Sequence, residues 1–78
     1  MFTVEVHAAP ATKHRVTVPE GYGDKVGAAH VTDAQLVEAS FAFLLEREPS
    51  SSILTRFELD RIAHYFPEYP REIVRYLH

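Results

Sequence analysis

Five prolines decide where regular backbone can run in this chain, because each locks φ and removes a hydrogen-bond donor. Pro10 lies in a stretch suited to a loop, Ala8-Ala9-Pro10-Ala11-Thr12, and Pro19 ends the strand pattern that follows it. Pro49 forces a helix to stop near Glu48, Pro67 closes the next apolar run, and Pro70 stands at a favourable first helical position. The segments between these stops carry different periodicities, so each can be read separately.

In Phe2-Thr3-Val4-Glu5-Val6-His7 apolar and polar residues alternate, and His14-Arg15-Val16-Thr17-Val18 alternates again. That predicts a β-hairpin. Placing Glu5 opposite Arg15 and Thr3 opposite Thr17 makes a polar face. The same register puts Phe2 by Val18, Val4 by Val16 and Val6 by His14 on an apolar face. Pro19-Glu20-Gly21-Tyr22-Gly23-Asp24 reads as a turn or one loose helical turn, and 19–30 as the least structured stretch.

Thr32 and Gln35 have the spacing of a capping box, Val31 and Leu36 that of a hydrophobic staple, and Asp33 suits the positive end of the helix dipole. Leu36, Val37, Phe41, Leu44 and Leu45 then recur at helical spacing, flanked by Ser40 and Phe43. A helix over 33–48 follows. Ser50-Ser51-Ser52 offers N-caps for a further helix, and Ile53, Leu54, Phe57, Leu59, Ile62, Ala63 and Phe66 recur every three or four residues. One helix or two short ones are expected there. A last helix over 71–77 would bury Ile73, Val74 and Leu77.

The expected architecture is α+β: an N-terminal β-hairpin packed on a C-terminal bundle of two to four helices. It forms a single domain over 1–78, with the hairpin at 2–18, a loop at 19–31 and the helical part at 32–78. A core built from 78 residues is marginal, and with no cysteine neither disulfides nor a thiolate metal site can reinforce it. A content of 46% hydrophobic and 12% aromatic residues is too apolar for a disordered chain, so packing or association supplies the stability. A lone hairpin has open edges, and pairing with a second copy is the simplest remedy. A homodimer, or a small subunit docked on a larger protein, is therefore expected.

Phe43-Leu44-Leu45-Glu46-Arg47-Glu48-Pro49, then Ser52-Ile53-Leu54, Phe57, Leu59, Ile62 and Tyr65-Phe66-Pro67-Glu68-Tyr69, form a distinctive combination. Over about residues 36–70, and more loosely in the hairpin, the chain resembles a group of small bacterial proteins of uncharacterised function. That resemblance implies a bacterial origin and brings no activity with it.

The side chains offer little for chemistry. His7 and His14 fall on opposite faces of the hairpin, Pro67 separates His64 from Glu68, and His30 and His78 lie in a loop and at the terminus. A zinc site needs three or four converging ligands, so no metal and no cofactor is expected. Ser50, Ser51 and Ser52 sit where caps are wanted, Glu46 and Glu48 point to different sides of their helix, and Gly21-Tyr22-Gly23 lacks the lysine of a phosphate loop. No residue earns a catalytic assignment.

The net charge of −3 steers the whole protein towards neither nucleic acid nor an anionic membrane. Arg56, Arg61, Arg71 and Arg75 cluster late in the chain, but Glu58, Asp60, Glu68 and Glu72 balance them; Lys13 and Arg15 add a small positive spot. The helix at 33–48, the serine turn and the next helix could approximate a helix-turn-helix. No apolar run approaches the roughly 20 residues of a membrane span and no signal-peptide pattern opens the chain, so a cytoplasmic location is expected. The leading expectation is a small non-catalytic protein-interaction module or accessory subunit, using the hairpin edge or the residues Tyr69, Arg71, Arg75 and Tyr76. A small nucleic-acid-binding regulator is the alternative.

Overall fold

The structure is a computed structural model that describes residues 1–7, 11–28 and 30–77. Its arrangement is α+β, with a three-stranded sheet and four short or medium α-helices among the described residues. Strands β1 (Phe2–Val6) and β2 (Thr12–Thr17) form the antiparallel hairpin. The pairs are Phe2 with Val16, Val4 with His14, Glu5 with Lys13 and Val6 with Thr12. The expected register is thus slipped by two residues. A slip of two leaves every side chain on its expected face, so alternation alone cannot separate the two registers. In the observed one Lys13 replaces Arg15 opposite Glu5, at 3.5 Å, and Thr12 joins the ladder while Val18 leaves it. Of the expected hairpin loop, Ala8 to Pro10 lie outside the described residues, as does His78.

The stretch expected as a loop is built into the core. Helix α1 (Tyr22–Lys25) starts from Gly21, whose φ of 75° a residue with a Cβ adopts only with strain. Tyr22, Val26 and Ala28 are all buried. Helix α2 (Asp33–Leu45) begins with the predicted capping box: Gln35 N–H donates to Thr32 Oγ1 at 3.1 Å, and Thr32 N–H donates to Gln35 Oε1 at 2.9 Å. It ends three residues before Glu48.

Beyond Pro49 the expected helix does not form. Ser50–Ser52 make a single 3-10 turn with no side-chain cap, so the serines are not the caps they resembled. Ile53 is extended, and Arg56–Glu58 form β3, which pairs parallel with β2. Two bonds hold this segment out. His14 Nδ1 donates to the Leu54 carbonyl at 2.8 Å, and Arg15 N–H donates to the Thr55 carbonyl at 2.8 Å. Spacings of three and four at 53, 54 and 57 suit a helix, but tertiary hydrogen bonding overrides them. The helical part of the chain therefore contains a strand, and β2 becomes the middle of the sheet. His14 and Val16, on its inner face, are wholly buried.

A 3-10 turn (Leu59–Arg61) leads into α3 (Ile62–Tyr65), and α4 (Tyr69–Glu72) follows with Pro70 in its first turn, continuing as a 3-10 segment over Ile73–Leu77. Helix α2 lies between the sheet and these C-terminal elements. On one side the Phe41 ring meets His14 at 5.3 Å and Phe57 at 6.1 Å between centroids. On the other, Phe43 meets Phe66, Tyr69 and Tyr76 edge-on at 5.9, 5.2 and 5.8 Å. Burial on both sides accounts for Ala39, Ser40 and Phe43 all being buried, while Leu45, expected on the apolar face, is 42% exposed.

Candidate interaction site

Two of the four residues expected on a partner surface are committed internally. Tyr69 is wholly buried, and its hydroxyl shares a 2.6 Å hydrogen bond with Ser40 Oγ, which in turn donates to the Leu36 carbonyl at 2.7 Å. Burial pushes the Tyr69 phenol far above its ordinary range, against the smaller opposing effect of the Ser40 bond. Tyr69 is a core residue, because α4 turns it inward onto α2. Tyr76 is half-buried; its hydroxyl donates to the Glu46 carboxylate and accepts from Arg47 at 3.5 Å. Arg71 and Arg75 are exposed, with Arg75 at 3.6 Å from Glu72.

The Arg47 side chain lies over the Phe43 ring at 3.6 Å, donates to the Phe43 carbonyl at 3.1 Å, and reaches Glu68 at 3.4 Å. The two stretches Glu46-Arg47-Glu48-Pro49 and Tyr65-Phe66-Pro67-Glu68-Tyr69 therefore touch, through Arg47 and Glu68. The distinctive sequence marks join α2 to the C-terminal elements. Their visible job is holding the fold.

The histidines separate as well. His14 is buried with both ring nitrogens bonded, to the Leu54 carbonyl and at 2.9 Å to Thr12 Oγ1. Its place is the middle strand of the sheet. His7 is exposed, 4.0 Å from Glu5, and His64 is exposed on α3. Among the described residues no group of three His, Cys, Asp or Glu side chains converges as a metal site would require. Gly21-Tyr22-Gly23 is occupied in seating Tyr22 in the core. The helix-turn-helix reading lacks its second helix, since a strand follows the serine turn. No helix among the described residues is long and apolar enough to cross a membrane.

What remains open lies on the other flank, where β3 and α3 diverge. An apolar cleft of about 400 Å³ is lined by Leu44, Ile53, Leu54, Phe57, Ile62, Tyr65 and Phe66, with Arg61, Glu48 and Ser52 at its rim. A more polar cleft of about 770 Å³ adjoins it and shares Leu54, Phe57, Arg61 and Tyr65. Four large apolar side chains among the described residues are conspicuously exposed: Met1 at 70%, Tyr65 at 64%, Leu54 at 47% and Leu45 at 42%. The first three line one or both clefts. The pinned carbonyls of Leu54 and Thr55 explain the exposure of Leu54, since its backbone is held to the sheet while the side chain is directed outward.

On the outer face of the sheet Arg15 stands opposite Arg56, and Thr17 opposite Glu58. Neither arginine makes an ion pair among the described residues. Sequence reasoning missed this site because it read 53–66 as helical. Only Arg56-Phe57-Glu58-Leu59 alternates there, too short a run to outweigh the helical spacing around it. Comparison with protein-family profiles, with curated proteins and with solved structures finds no match to this chain.

Proposed function

We propose that this chain is a small non-catalytic protein-interaction module, an accessory subunit that docks through the flank formed by β3 and α3. The observation that carries the reading is the exposure of Leu54 and Tyr65 on either side of an apolar cleft, at 47% and 64%. Apolar groups gathered around one concavity mark interaction surfaces more often than scattered exposed ones do. The reading calls for no cofactor and gives no residue a catalytic role. It replaces the Tyr69 and Tyr76 surface, whose hydroxyls are already bonded within the chain.

Native mass spectrometry of the tagged protein, purified gently from the cells that make it, tests this. A stoichiometric companion, whether another protein or a second copy, should be retained by the wild type and lost on Leu54→Asp with Tyr65→Asp. A companion that survives both changes, or a lone monomer in every sample, contradicts the reading. A nucleic-acid-binding regulator is the alternative, favoured by the facing pair Arg15 and Arg56. It requires affinity for a DNA or RNA oligonucleotide that falls steeply with rising salt and is lost on Arg15→Glu.

A further inference from the structure

The partner can be specified more closely, on the assumption that the interaction reading is right. Strand β3 is an edge strand of three residues, with β2 on one side and no strand among the described residues on the other. The bond from Arg15 N–H to the Thr55 carbonyl shows which peptide groups β2 uses. Along a strand, successive residues turn their N–H and C=O to opposite neighbours. Thr55 and Phe57 thus serve β2, while Arg56 and Glu58 turn theirs towards the open edge. Such groups form a template for a further strand.

The sequence of this edge complements itself. If a second β3 lies antiparallel beside the first, about a twofold axis through Phe57, Arg56 stands opposite Glu58 of the second copy and Glu58 opposite its Arg56. Phe57 then faces its own counterpart. Both Arg–Glu pairs are opposite in charge and lie on the outer face, where cross-strand pairs of opposite sign stabilise and like charges repel. Within one copy Arg56 faces only Arg15, a like charge. The second copy supplies the compensating carboxylate.

Three residues of pairing are too few to hold two proteins together, since stable interfaces bury on the order of 1,200–2,000 Å². The apolar side chains beside the edge extend the contact. Leu54 and Tyr65 are exposed in the single chain and line the same cleft as Arg56 and Glu58, so a second copy seated on those two residues has them within its reach. The edge of β1 offers less. Thr3 would face Glu5 there, and Glu5 already pairs with Lys13 at 3.5 Å. Joining β1 of one copy to β3 of the next would be head-to-tail and would not close.

We infer that two copies of this chain pair β3 to β3 in antiparallel register, joining two three-stranded sheets into one of six strands, with Arg56 and Glu58 as reciprocal ion pairs and Leu54 and Tyr65 covered at the seam. Sedimentation velocity on the full chain, over a range of concentrations, tests it with charge reversals at two exposed positions. The wild type should form a dimer. Arg56→Glu alone, and Glu58→Arg alone, should each weaken it by about tenfold or more, because each places like charges opposite one another.

The deciding sample is an equimolar mixture of the two single variants. Each weakened alone, they should dimerise together, because one β3 then carries two carboxylates and the other two guanidinium groups, opposed on both sides of the axis. Circular dichroism of each variant establishes that the fold is retained. A dimer indifferent to both reversals, a dimer broken by Thr3→Glu instead, or a mixture no tighter than its components overturns the β3 pairing. A wild-type monomer that still holds a different protein through Leu54 and Tyr65 overturns the second copy as partner and leaves the interaction reading standing. A monomer with no companion removes both.

Discussion

The two flanks of α2 use the same residue types to opposite ends. On the C-terminal flank, Tyr69, Tyr76, Phe43 and Arg47 satisfy one another: rings meet edge-on, hydroxyls are bonded, and the guanidinium is held by Phe43, Glu68 and Tyr76. On the β3 flank, Tyr65, Leu54 and Arg56 face outward, with no ion pair for the arginine among the described residues. Aromatic and arginine content alone therefore does not locate an interaction surface. What matters is whether the groups find partners within the chain.

The largest contrast is between two tyrosines four residues apart. Tyr69→Ala should cost about 3–5 kcal/mol, enough to unfold much of so small a protein, because it empties the centre of the core. Tyr65→Ala should change the stability of the single chain by less than about 0.5 kcal/mol, since its side chain is largely in water. Urea unfolding of both variants, monitored by circular dichroism, measures the difference at concentrations too low for association. Equal losses would erase the distinction between the flanks.

His14 connects the two regions through β2. His14→Leu leaves the part-buried Leu54 carbonyl and the Thr12 hydroxyl without their partners, and the expected loss is about 1–3 kcal/mol. Because the bond to Leu54 helps hold β3 extended, this variant should also raise amide exchange at Arg15 and Phe57, whose N–H groups join β2 and β3. Faster exchange confined to β1 would mean that β3 is held some other way.

A titration separates the flanks by chemistry. Burial, the largest cause, raises the Tyr69 phenol above its ordinary value of 10.0, and burial is also the leading reason that Tyr22 is raised. Near and above pH 10 the unfolded chain releases these protons while the folded chain keeps them. Stability is therefore complete below about pH 10 and falls as the pH rises beyond it. Tyr69→Phe should flatten that decline, as read from thermal melts across the alkaline range. An unchanged decline would place the sensitivity elsewhere.

Arg47→Met should cost about 1 kcal/mol, between the effects of Tyr69→Ala and Tyr65→Ala, because the side chain is a quarter exposed and part of its packing on Phe43 survives in methionine. A loss as large as that of Tyr69→Ala would make the surface clamp, not the aromatic core, the chief bond between α2 and the C-terminal elements.

How much of this was legible in the sequence differs between elements for physical reasons. Local bonds reveal themselves at short spacing, as the reciprocal pair of Thr32 and Gln35 does, and α2 starts where that pair requires. The hairpin faces were legible too, because a period of two survives a slip of two; the register was not, for the same reason. β3 depends on a histidine forty residues away bonding Leu54, and no window around Arg56 contains that information. Helix α2 showed one apolar face plus Ser40 and Phe43 at its margin, and only the return of the C-terminal segment made that margin a second buried side. The Tyr69 reading failed on the same point. Its burial is decided by α2, and the partner surface moved to the flank where the chain leaves its aromatic and arginine groups unpaired.

The most direct measurement compares the flanks in one experiment: native mass spectrometry of the wild type, of Leu54→Asp with Tyr65→Asp, and of Arg71→Ala with Arg75→Ala, under identical conditions. All four substituted residues are exposed, so each chain should remain folded. The account predicts that association disappears in the first pair of substitutions and persists in the second. Association that survives at Leu54 and Tyr65 but fails at Arg71 and Arg75 would return the interaction surface to the C-terminal flank and contradict the account.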